Sequence, residues 1–252
     1  MATVGTEGRI LGIVVWCGSE MVGTIGIMQP YLFPYLGYFQ LMNVVDRWIV
    51  FDEVQFIDKG WINRNRILHP DVVKEWQYIT VPLANRGQFD KISDISIKSE
   101  IDWRSEILGK LTYYKNKAPF YNETKTFVLD CLDTDESDIS QFVTGVLKKT
   151  ADYMSIDTQI DVQSDLQLSI GCIEHPGQWA LKISEALGAS KYINPFGGLE
   201  MFKPDEFVAS GIELCFLKTI LEPYPQKRND FVPGLSIIDV MMWSSYARIH
   251  RI

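Results

Sequence analysis

Residues 24–53 read TIGIMQPYLFPYLGYFQLMNVVDRWIVFDE, and this stretch predicts the fold. The apolar run at 24–28 is typical of a buried strand, and two prolines fix the loop that follows it. Residues 37–45 then place apolar side chains at helical spacing, and residues 47–51 form a second apolar run. A strand, a helical connection and a second strand make a βαβ unit, which requires a parallel sheet. The sequence therefore predicts an α/β fold with a mainly parallel sheet that opens with this βαβ unit.

Further apolar runs continue the alternation of strands and helices towards the carboxyl terminus. Residues 92–97 and 207–217 are predicted strands, and the second of these crosses Gly211. Helical spacing dominates the middle of the chain, where residues 101–156 are expected to form a helical sub-lobe.

The domain organisation follows from where this pattern begins. Residues 24–252 are expected to form a single α/β domain. Residues 1–23 are glycine-rich and show no such pattern, so they are expected to be a flexible extension.

The composition excludes several classes of protein. The chain is 252 residues long with 46% hydrophobic residues, enough to bury a core, and it carries a net charge of −8. An acidic total argues against broad nucleic-acid binding, which needs a basic face. The four cysteines are far apart, so neither a structural zinc site nor a disulfide framework is expected. No apolar run is long enough to span a bilayer, and we expect a cytoplasmic protein.

The loop after the first strand should open at the carboxyl edge of the sheet, where α/β proteins bind ligands. Within it, Tyr35 to Tyr38 resembles the HxGH turn of nucleotidyl transferases, with tyrosines at the histidine positions. This resemblance implies a Rossmann-like sheet of the nucleotidyl-transferase kind as one form of the fold. Gly37 would let a phosphate approach the backbone at the helix start. The tyrosines would donate hydrogen bonds to phosphate but cannot carry an imidazolium charge. Aromatic packing within the loop is the alternative.

The most basic window of this acidic chain is DKGWINRNR at residues 58–66. It contains three cations, two amides and a tryptophan: Lys59, Arg64, Arg66, Asn63, Asn65 and Trp61. Such a set is suited to gripping a phosphate or a carboxylate. A solvated loop with charge pairing at its surface is the alternative.

Acidic side chains occur at two places of chemical interest. Asp52 and Glu53 end the second predicted strand. There they are candidates to bind a metal or to accept the proton of an amine. The alternative is that Asp52 only accepts hydrogen bonds within a turn or a helix cap. Asp133 and Asp135 match the DxD pattern of metal-dependent glycosyltransferases, but the acidic surroundings favour a solvated loop. No metal site is predicted.

Two late segments complete the candidate site. Gly197 and Gly198 follow a predicted strand, so their backbone N–H groups either face a ligand or form a turn. Ser236 is predicted to be the N-cap of the last helix, with Asp239 at the capping-box position. That helix start is also a candidate to face an anion.

Four motifs in this chain resemble the WbqC-like family. They are IMQPYLFPYLGYFQL at residues 27–41, KGWINRNR at 59–66, YINPFGG at 192–198 and FVPGLSIID at 231–239. The resemblance covers residues 24–245 and implies a protein of bacterial O-antigen gene clusters, with transfer of glycine to a sugar amine as the suggested reaction. It also implies substrate-binding roles for Gln29, Pro30 and Gln40 in the first motif.

The leading hypothesis is a transferase that joins glycine or a small acyl group to an amino sugar. The expected catalytic residues are Tyr35, Tyr38, Asp52 and Lys59, and the expected ligands are small: glycine and an amino sugar or nucleotide sugar. ATP with magnesium would be required if the donor were a free carboxylate. A non-catalytic protein that binds or assembles polysaccharide intermediates is the alternative, and a metal-dependent glycosyltransferase using Asp133 and Asp135 is the third.

Overall fold

The computed structural model describes residues 23–84 and 86–245, so nearly all of the predicted extension lies outside the described residues. The strands are β1 Thr24–Met28, β2 Arg47–Val50, β3 Arg64–Leu68, β4 Trp76–Thr80, β5 Gln159–Val162, β6 Lys191–Pro195 and β7 Glu213–Leu217. The α-helices are α1 Leu36–Met42, α2 Trp103–Lys110, α3 Tyr121–Leu132, α4 Ile139–Tyr153, α5 Gln163–Leu166, α6 Gln178–Ala186, α7 Pro204–Ala209 and α8 Ile237–Trp243. Short 3-10 helices lie at Val72–Lys74, Ile92–Asp94, Leu111–Tyr114 and Phe196–Met201.

A five-stranded parallel sheet in the order β5-β2-β1-β6-β7 forms the centre of the molecule. The predicted α/β fold is confirmed, and β1, α1 and β2 form the predicted βαβ unit. The chain moves outward from β1 in one direction and later resumes on its other side with β6. In sheets of this kind ligands bind outside the carboxyl ends of the strands where the order reverses, which here is between β1 and β6.

The two central strands separate towards that edge. Their register pairs only Thr24 with Lys191 and Ile25 with Tyr192. Because β1 continues to Met28, its last three residues have no partner on β6. In sheets of this topology the ligand-binding crevice lies between the loops that follow two such strands, and we use the word crevice for this place.

Helices cover both faces of the sheet, as a buried parallel sheet requires. On one face, Ile25 and Ile27 pack in a cluster with residues of α6 and α7. On the other, Trp48 and Val50 belong to a larger core that includes α1, α4 and α8. Close packing explains Gly26, because a Cβ there would lie 2.9 Å from the Trp48 ring.

The helices between residues 101 and 156 belong to the same larger core. Trp103 of α2 and Phe142 of α4 meet edge to face, with ring centroids 5.6 Å apart. The hydrophobic packing is therefore continuous from these helices to the sheet. Among the described residues, no helix combines the length and the hydropathy needed to cross a bilayer.

The basic window is partly a strand. Its last three residues begin β3, which pairs with β4 in an antiparallel hairpin that aligns Arg66 with Tyr78. Ile67 and Ile79 point to the core from the opposite face and are fully buried. The hairpin therefore fixes the arginines in one geometry, which a solvated loop would not do.

Two strand predictions are wrong. Residues 92–97 begin with a 3-10 helix, because the buried Ile92 and Ile95 are three residues apart and a helical turn puts both on one side. Residues 207–217 contain the end of α7, which begins at Pro204, and strand β7. Gly211 separates the two with φ of 69°, a left-handed turn that no continuous strand contains.

Candidate functional site

The loop after β1 is held by groups from distant parts of the chain. Asn65 Nδ2 donates to the carbonyls of Leu32 and Phe33 at 2.9 and 2.8 Å. Ser236 Oγ donates to the same Phe33 carbonyl at 2.8 Å. Phe33 is fully buried and has φ of 41°, a conformation that costs energy for any residue with a Cβ. Surrounding hydrogen bonds hold this strained loop in one shape.

Only three side chains between residues 29 and 40 reach solvent: the half-buried Gln29, Tyr31 and Tyr35. Burial is the main cause that raises the pKa of Tyr31 and of Tyr35, and a hydrogen bond with Thr219 opposes the rise for Tyr35. Both phenols are therefore protonated at neutral pH and act as hydrogen-bond donors. The first motif presents neutral polar groups to the crevice.

The HxGH-like turn is packed against the protein itself. Tyr38 is buried, and its hydroxyl donates to the Gln29 carbonyl at 3.0 Å. A Cβ on Gly37 would lie 2.4 Å from the Tyr35 ring and 2.8 Å from Thr219. Gly37 thus permits close packing by Tyr35, and in this conformation its backbone is covered. The catalytic role of Tyr38 and the binding role of Gly37 stay predictions.

Two other residues of the first motif are also enclosed. Pro30 is buried, and Gln40 is buried on α1 with its Nε2 donating to the Ile220 carbonyl at 3.4 Å. Their contacts position the loop after β7 and the loop after β1, and their substrate-binding roles stay predictions.

The loop after β6 forms the opposite side of the crevice. Asn194 Oδ1 accepts from the Tyr192 hydroxyl at 2.7 Å, while its Nδ2 donates to the Pro195 carbonyl at 2.8 Å. A Cβ on Gly198 would come within 2.3 Å of Asn194 Nδ2, whereas Gly197 has open space around it. Of the two glycines, Gly197 is the one whose backbone a ligand can approach.

Asp52 lies just beyond β2 and is fully buried. Its carboxylate accepts from Ser140 Oγ at 2.8 Å, from Ser164 Oγ at 2.7 Å and from the Ser164 backbone N–H at 3.1 Å. These bonds connect the carboxyl ends of β2 and β5 to the start of α4. The carboxylate is satisfied by the protein, and its catalytic role stays a prediction.

The other acidic residues form no metal cluster. Glu53 lies 3.6 Å from Lys91, and Asp133 and Asp135 are exposed between α3 and α4. In the described part of the chain, no three His, Cys, Asp or Glu side chains are grouped so that they could hold a metal ion. The glycosyltransferase alternative gains no support from this geometry.

Two arginines and three aromatic residues form a ladder along the hairpin: Trp61, Arg64, Arg66, Trp76 and Tyr78. The Arg64 guanidinium lies 4.2 Å from the Tyr78 ring centroid and donates to the Gly60 and Lys59 carbonyls. The Arg66 guanidinium lies between Trp61 and Trp76, at 5.0 and 5.1 Å from their centroids. Cation–π contacts therefore hold both cations in place.

The remaining residues of the basic window differ in exposure. Lys59 is exposed and has φ of 61°. Asn63 is half-buried and donates to the Val81 carbonyl at 2.8 Å, so it stabilises the base of the hairpin. Lys59 has its ammonium group available to a ligand.

Ser236 is confirmed as the N-cap of α8, because its Oγ accepts from the Ile238 backbone N–H at 3.2 Å. Its own backbone N–H donates to the Arg66 carbonyl at 2.8 Å, which joins the last motif to the hairpin. The residue therefore positions two segments of the site. Its predicted contact with substrate stays a prediction.

The prediction of Asp239 as a capping-box residue is wrong, because its carboxylate turns into the core and is fully buried. It accepts from the hydroxyls of Tyr114 and Tyr224, both at 2.6 Å, and from Gln226 Nε2 at 2.9 Å. Burial raises the pKa of Asp239, and the hydrogen bonds that it accepts oppose the rise. This cluster fastens the irregular segment before α8 to the core.

The sequence reasoning missed Trp76 and Tyr78 as members of the site. The available signal was the two-residue period of a strand, which places Arg64 and Arg66 on one face and Trp76 and Tyr78 on one face of the partner. The sequence analysis predicted no strand at residues 64–68, so it gave Trp76 and Tyr78 no partner strand.

A scan of protein families and a search of curated proteins each found a match for this chain. The model described as the WbqC-like protein family matches residues 29–251. A Mycobacterium tuberculosis (strain ATCC 25618 / H37Rv) protein, described as "Uncharacterized protein Rv1507c", is 24% identical over 221 residues, or 86% of this chain and 92% of that protein. No solved structure matches. The family match extends over most of the chain and includes three of the motifs and residues 29–41 of the first, and the chain therefore belongs to the WbqC-like protein family.

Proposed function

We propose that this chain is a transferase of cell-surface polysaccharide synthesis, which joins glycine or another small acyl group to the amine of a sugar. The sugar would be carried on a nucleotide or lipid diphosphate. The observation that carries the proposal is the meeting of four motifs at one edge of the sheet, although they are far apart in sequence. Many apolar side chains of the motifs belong to the larger core, such as Phe33, Phe39 and Ile237. Their polar side chains are more than this packing requires, and the loop after β1 lies at the carboxyl edge of the sheet, where α/β folds bind ligands.

The contacts that join the motifs support a single site. Asn65 of the second motif holds the loop of the first, and Ser236 of the fourth contacts both. The third motif comprises most of β6 and the turn after it, and β6 is the neighbour of β1 in the sheet. A ligand in the crevice would meet neutral donors from Gln29, Tyr31 and Tyr35 and positive charge from the hairpin.

Such donors suit amide formation. The sugar amine attacks the carbonyl of an activated acyl group, a C–N bond forms, and the bond to the activating phosphate breaks with its electron pair on the phosphate oxygen. The amine proton passes to a base or to solvent. Neutral tyrosines would stabilise the negative charge that develops on the carbonyl oxygen, and the cations of the hairpin would neutralise the diphosphate that carries the sugar.

The source of activation is part of the proposal. If the donor is free glycine, its carboxylate must first be adenylated, so ATP with magnesium is a required co-substrate and pyrophosphate is released. If the donor arrives already activated, no ATP is consumed. The two routes differ in a measurable product, which is pyrophosphate.

A second candidate function is a binding or assembly protein without catalysis. It is favoured by one observation: two of the four expected catalytic side chains, Tyr38 and Asp52, are buried and already hydrogen-bonded within the protein. Such a protein would hold the same nucleotide-linked sugar and release it unchanged. It would use the same crevice and the same cations.

The test is incubation of the purified chain with nucleotide-linked amino sugars, glycine, ATP and magnesium, followed by mass spectrometry of the sugar and a pyrophosphate assay. We expect an amide-linked glycyl sugar. The Lys59→Ala variant should lower the rate about tenfold, by removing a cation beside the diphosphate. Lys98→Ala, at another exposed lysine, is the matched control and should leave the rate unchanged.

The outcome separates the two candidates. Binding of the nucleotide-linked sugar, seen as a rise in melting temperature, without any modified sugar from free or pre-activated donors would support the binding protein. Neither binding nor product would contradict both functions.

A further inference from the structure

We infer that Arg66, held between Trp61 and Trp76, binds a phosphate group of the ligand. This inference deepens the proposed function, since it identifies the phosphate as that of the carried sugar. Trp76 and Tyr78 then belong to the binding site as the residues that hold the two arginines. The argument begins with what each arginine of the protein contacts.

Five of the arginines in the described part of the chain have strong partners. Arg47 and Arg86 pair with aspartates. Arg64, Arg104 and Arg228 each donate to two backbone carbonyls. These side chains are each held by an ion pair or by two hydrogen bonds within the protein.

Arg66 differs from all of them. Within the described residues its guanidinium forms no ion pair, and its hydrogen bond is a long one, 3.5 Å from Nη2 to the Gly234 carbonyl. Its Nε is buried without a hydrogen-bond partner, as is that of Arg228, but Arg228 also donates to two backbone carbonyls. The side chain is half-buried, so a cation has been removed from much of its water without a counter-charge.

The two tryptophans explain why this cation is tolerated but not why it is left unpaired. Their ring faces attract the guanidinium and fix its plane. Contact with the faces leaves the N–H groups at the edge of the plane. Nε is enclosed in this conformation, so the terminal nitrogens are the donors that an anion oxygen can reach, with Nη1 free of any hydrogen bond to the described residues.

A phosphate fits this position better than a carboxylate does. Arg64 and Lys59 lie on the same segment, and Arg64 is held over Tyr78 beside Arg66. Three cations in one window match a sugar-linked diphosphate, which carries two negative charges spread over several acceptor oxygens. Gly234 beside the guanidinium belongs to the fourth motif, so the phosphate would join the hairpin to the segment before α8.

The experiment titrates the full chain with inorganic pyrophosphate, and with acetate as the carboxylate probe, while calorimetry and NMR of the arginine Nε–H groups are recorded. We expect saturable binding of pyrophosphate, a shift of the Arg66 Nε–H signal, and weaker or no binding of acetate. Arg66→Met should weaken pyrophosphate binding about 10- to 100-fold. If acetate bound more tightly than pyrophosphate, the site would be one for a carboxylate, and the inference would be overturned.

The matched control is Arg104→Met, because Arg104 also lies on a tryptophan ring, at 4.4 Å from the Trp103 centroid, but has its carbonyl partners. This variant should bind pyrophosphate as the unmodified chain does. The melting temperature without ligand gives a second measurement: Arg66→Met should keep or raise it, since no strong bond is lost. A clear fall, together with unchanged pyrophosphate binding, would make Arg66 structural.

Failure of the inference can be distinguished from failure of the proposed function. Pyrophosphate binding through Arg66 without any acyl transfer would leave the phosphate site intact and contradict the transferase. Acyl transfer that Arg66→Met leaves unchanged would contradict the phosphate site alone.

Discussion

The two faces of strand β3 carry polar side chains that differ in burial and in hydrogen bonding. On one face Asn65 is 4% exposed, and it bonds two carbonyls of the loop after β1 and its neighbour's backbone N–H. On the other face Arg66 is half-buried between two tryptophans and has one long hydrogen bond. The residues are adjacent in sequence, yet one is satisfied by the protein and the other is not.

This difference shows that polar residues in a motif serve two purposes. Buried polar groups with complete hydrogen bonding, such as Asn65, Asp52 and Asp239, build the site. A partly buried charge without a partner is the feature that points to a ligand. The following predictions test this distinction by its effect on stability, beginning with the largest.

Asn65→Leu should lower the free energy of unfolding by about 3 kcal/mol, because it removes partners from the buried carbonyls of Leu32 and Phe33 and from the Arg66 N–H. Urea denaturation measures the loss. Asn63→Leu is the control and should cost about 1 kcal/mol, since that side chain forms one bond at a half-buried position. Equal small losses in both variants would contradict a structural role for Asn65.

Asp239→Asn should cost about 1–2 kcal/mol at pH 4, because an amide N–H replaces an acceptor of the tyrosine hydroxyls. The cost should shrink as pH rises. Burial raises the folded-state pKa of Asp239 above the ordinary 3.8, so its contribution to stability is complete below that value and is lost as pH passes the folded pKa.

Denaturation of the unmodified chain and of the Asp239→Asn variant from pH 4 to pH 8 checks whether the cost in stability falls as pH rises. The variant cannot titrate at this position, so the difference between the proteins isolates Asp239. A cost that grows with pH would mean that the cluster stabilises the ionised carboxylate, which contradicts the raised pKa.

Arg64→Met should cost about 1 kcal/mol, the smallest of these effects, because Arg64 holds the half-exposed segment of Lys59 and Gly60 by two carbonyls. Its neighbour on the same face provides the comparison, since Arg66→Met is expected to cost nothing. Thermal denaturation of the two variants in one buffer measures the difference. If Arg66→Met proved the more destabilising, the assignment of structural and ligand-binding arginines would be reversed.

Much of the fold could be predicted from local patterns. The apolar runs of β1 and β2 and the helical spacing between them specify a βαβ unit, and Ser236 was recognisable as an N-cap from residue type and position. The prediction was wrong where a short segment was compatible with both structures. Phe207 lies in a helix because Pro204 starts a turn and Gly211 ends it, while an apolar run alone fits either state.

The α/β class, the βαβ opening and the motif residues could be read from the sequence, because periodicity and turn chemistry are local properties of the chain. Which polar side chains are enclosed became visible only in the tertiary structure. The burial of Asp52 and Tyr38 depends on α4 and β2, and the unpaired state of Arg66 depends on a partner strand whose pairing was not predicted. Burial and hydrogen bonding arise from contacts between distant segments, and such contacts decide whether a charged residue is satisfied within the protein or left to bind a ligand.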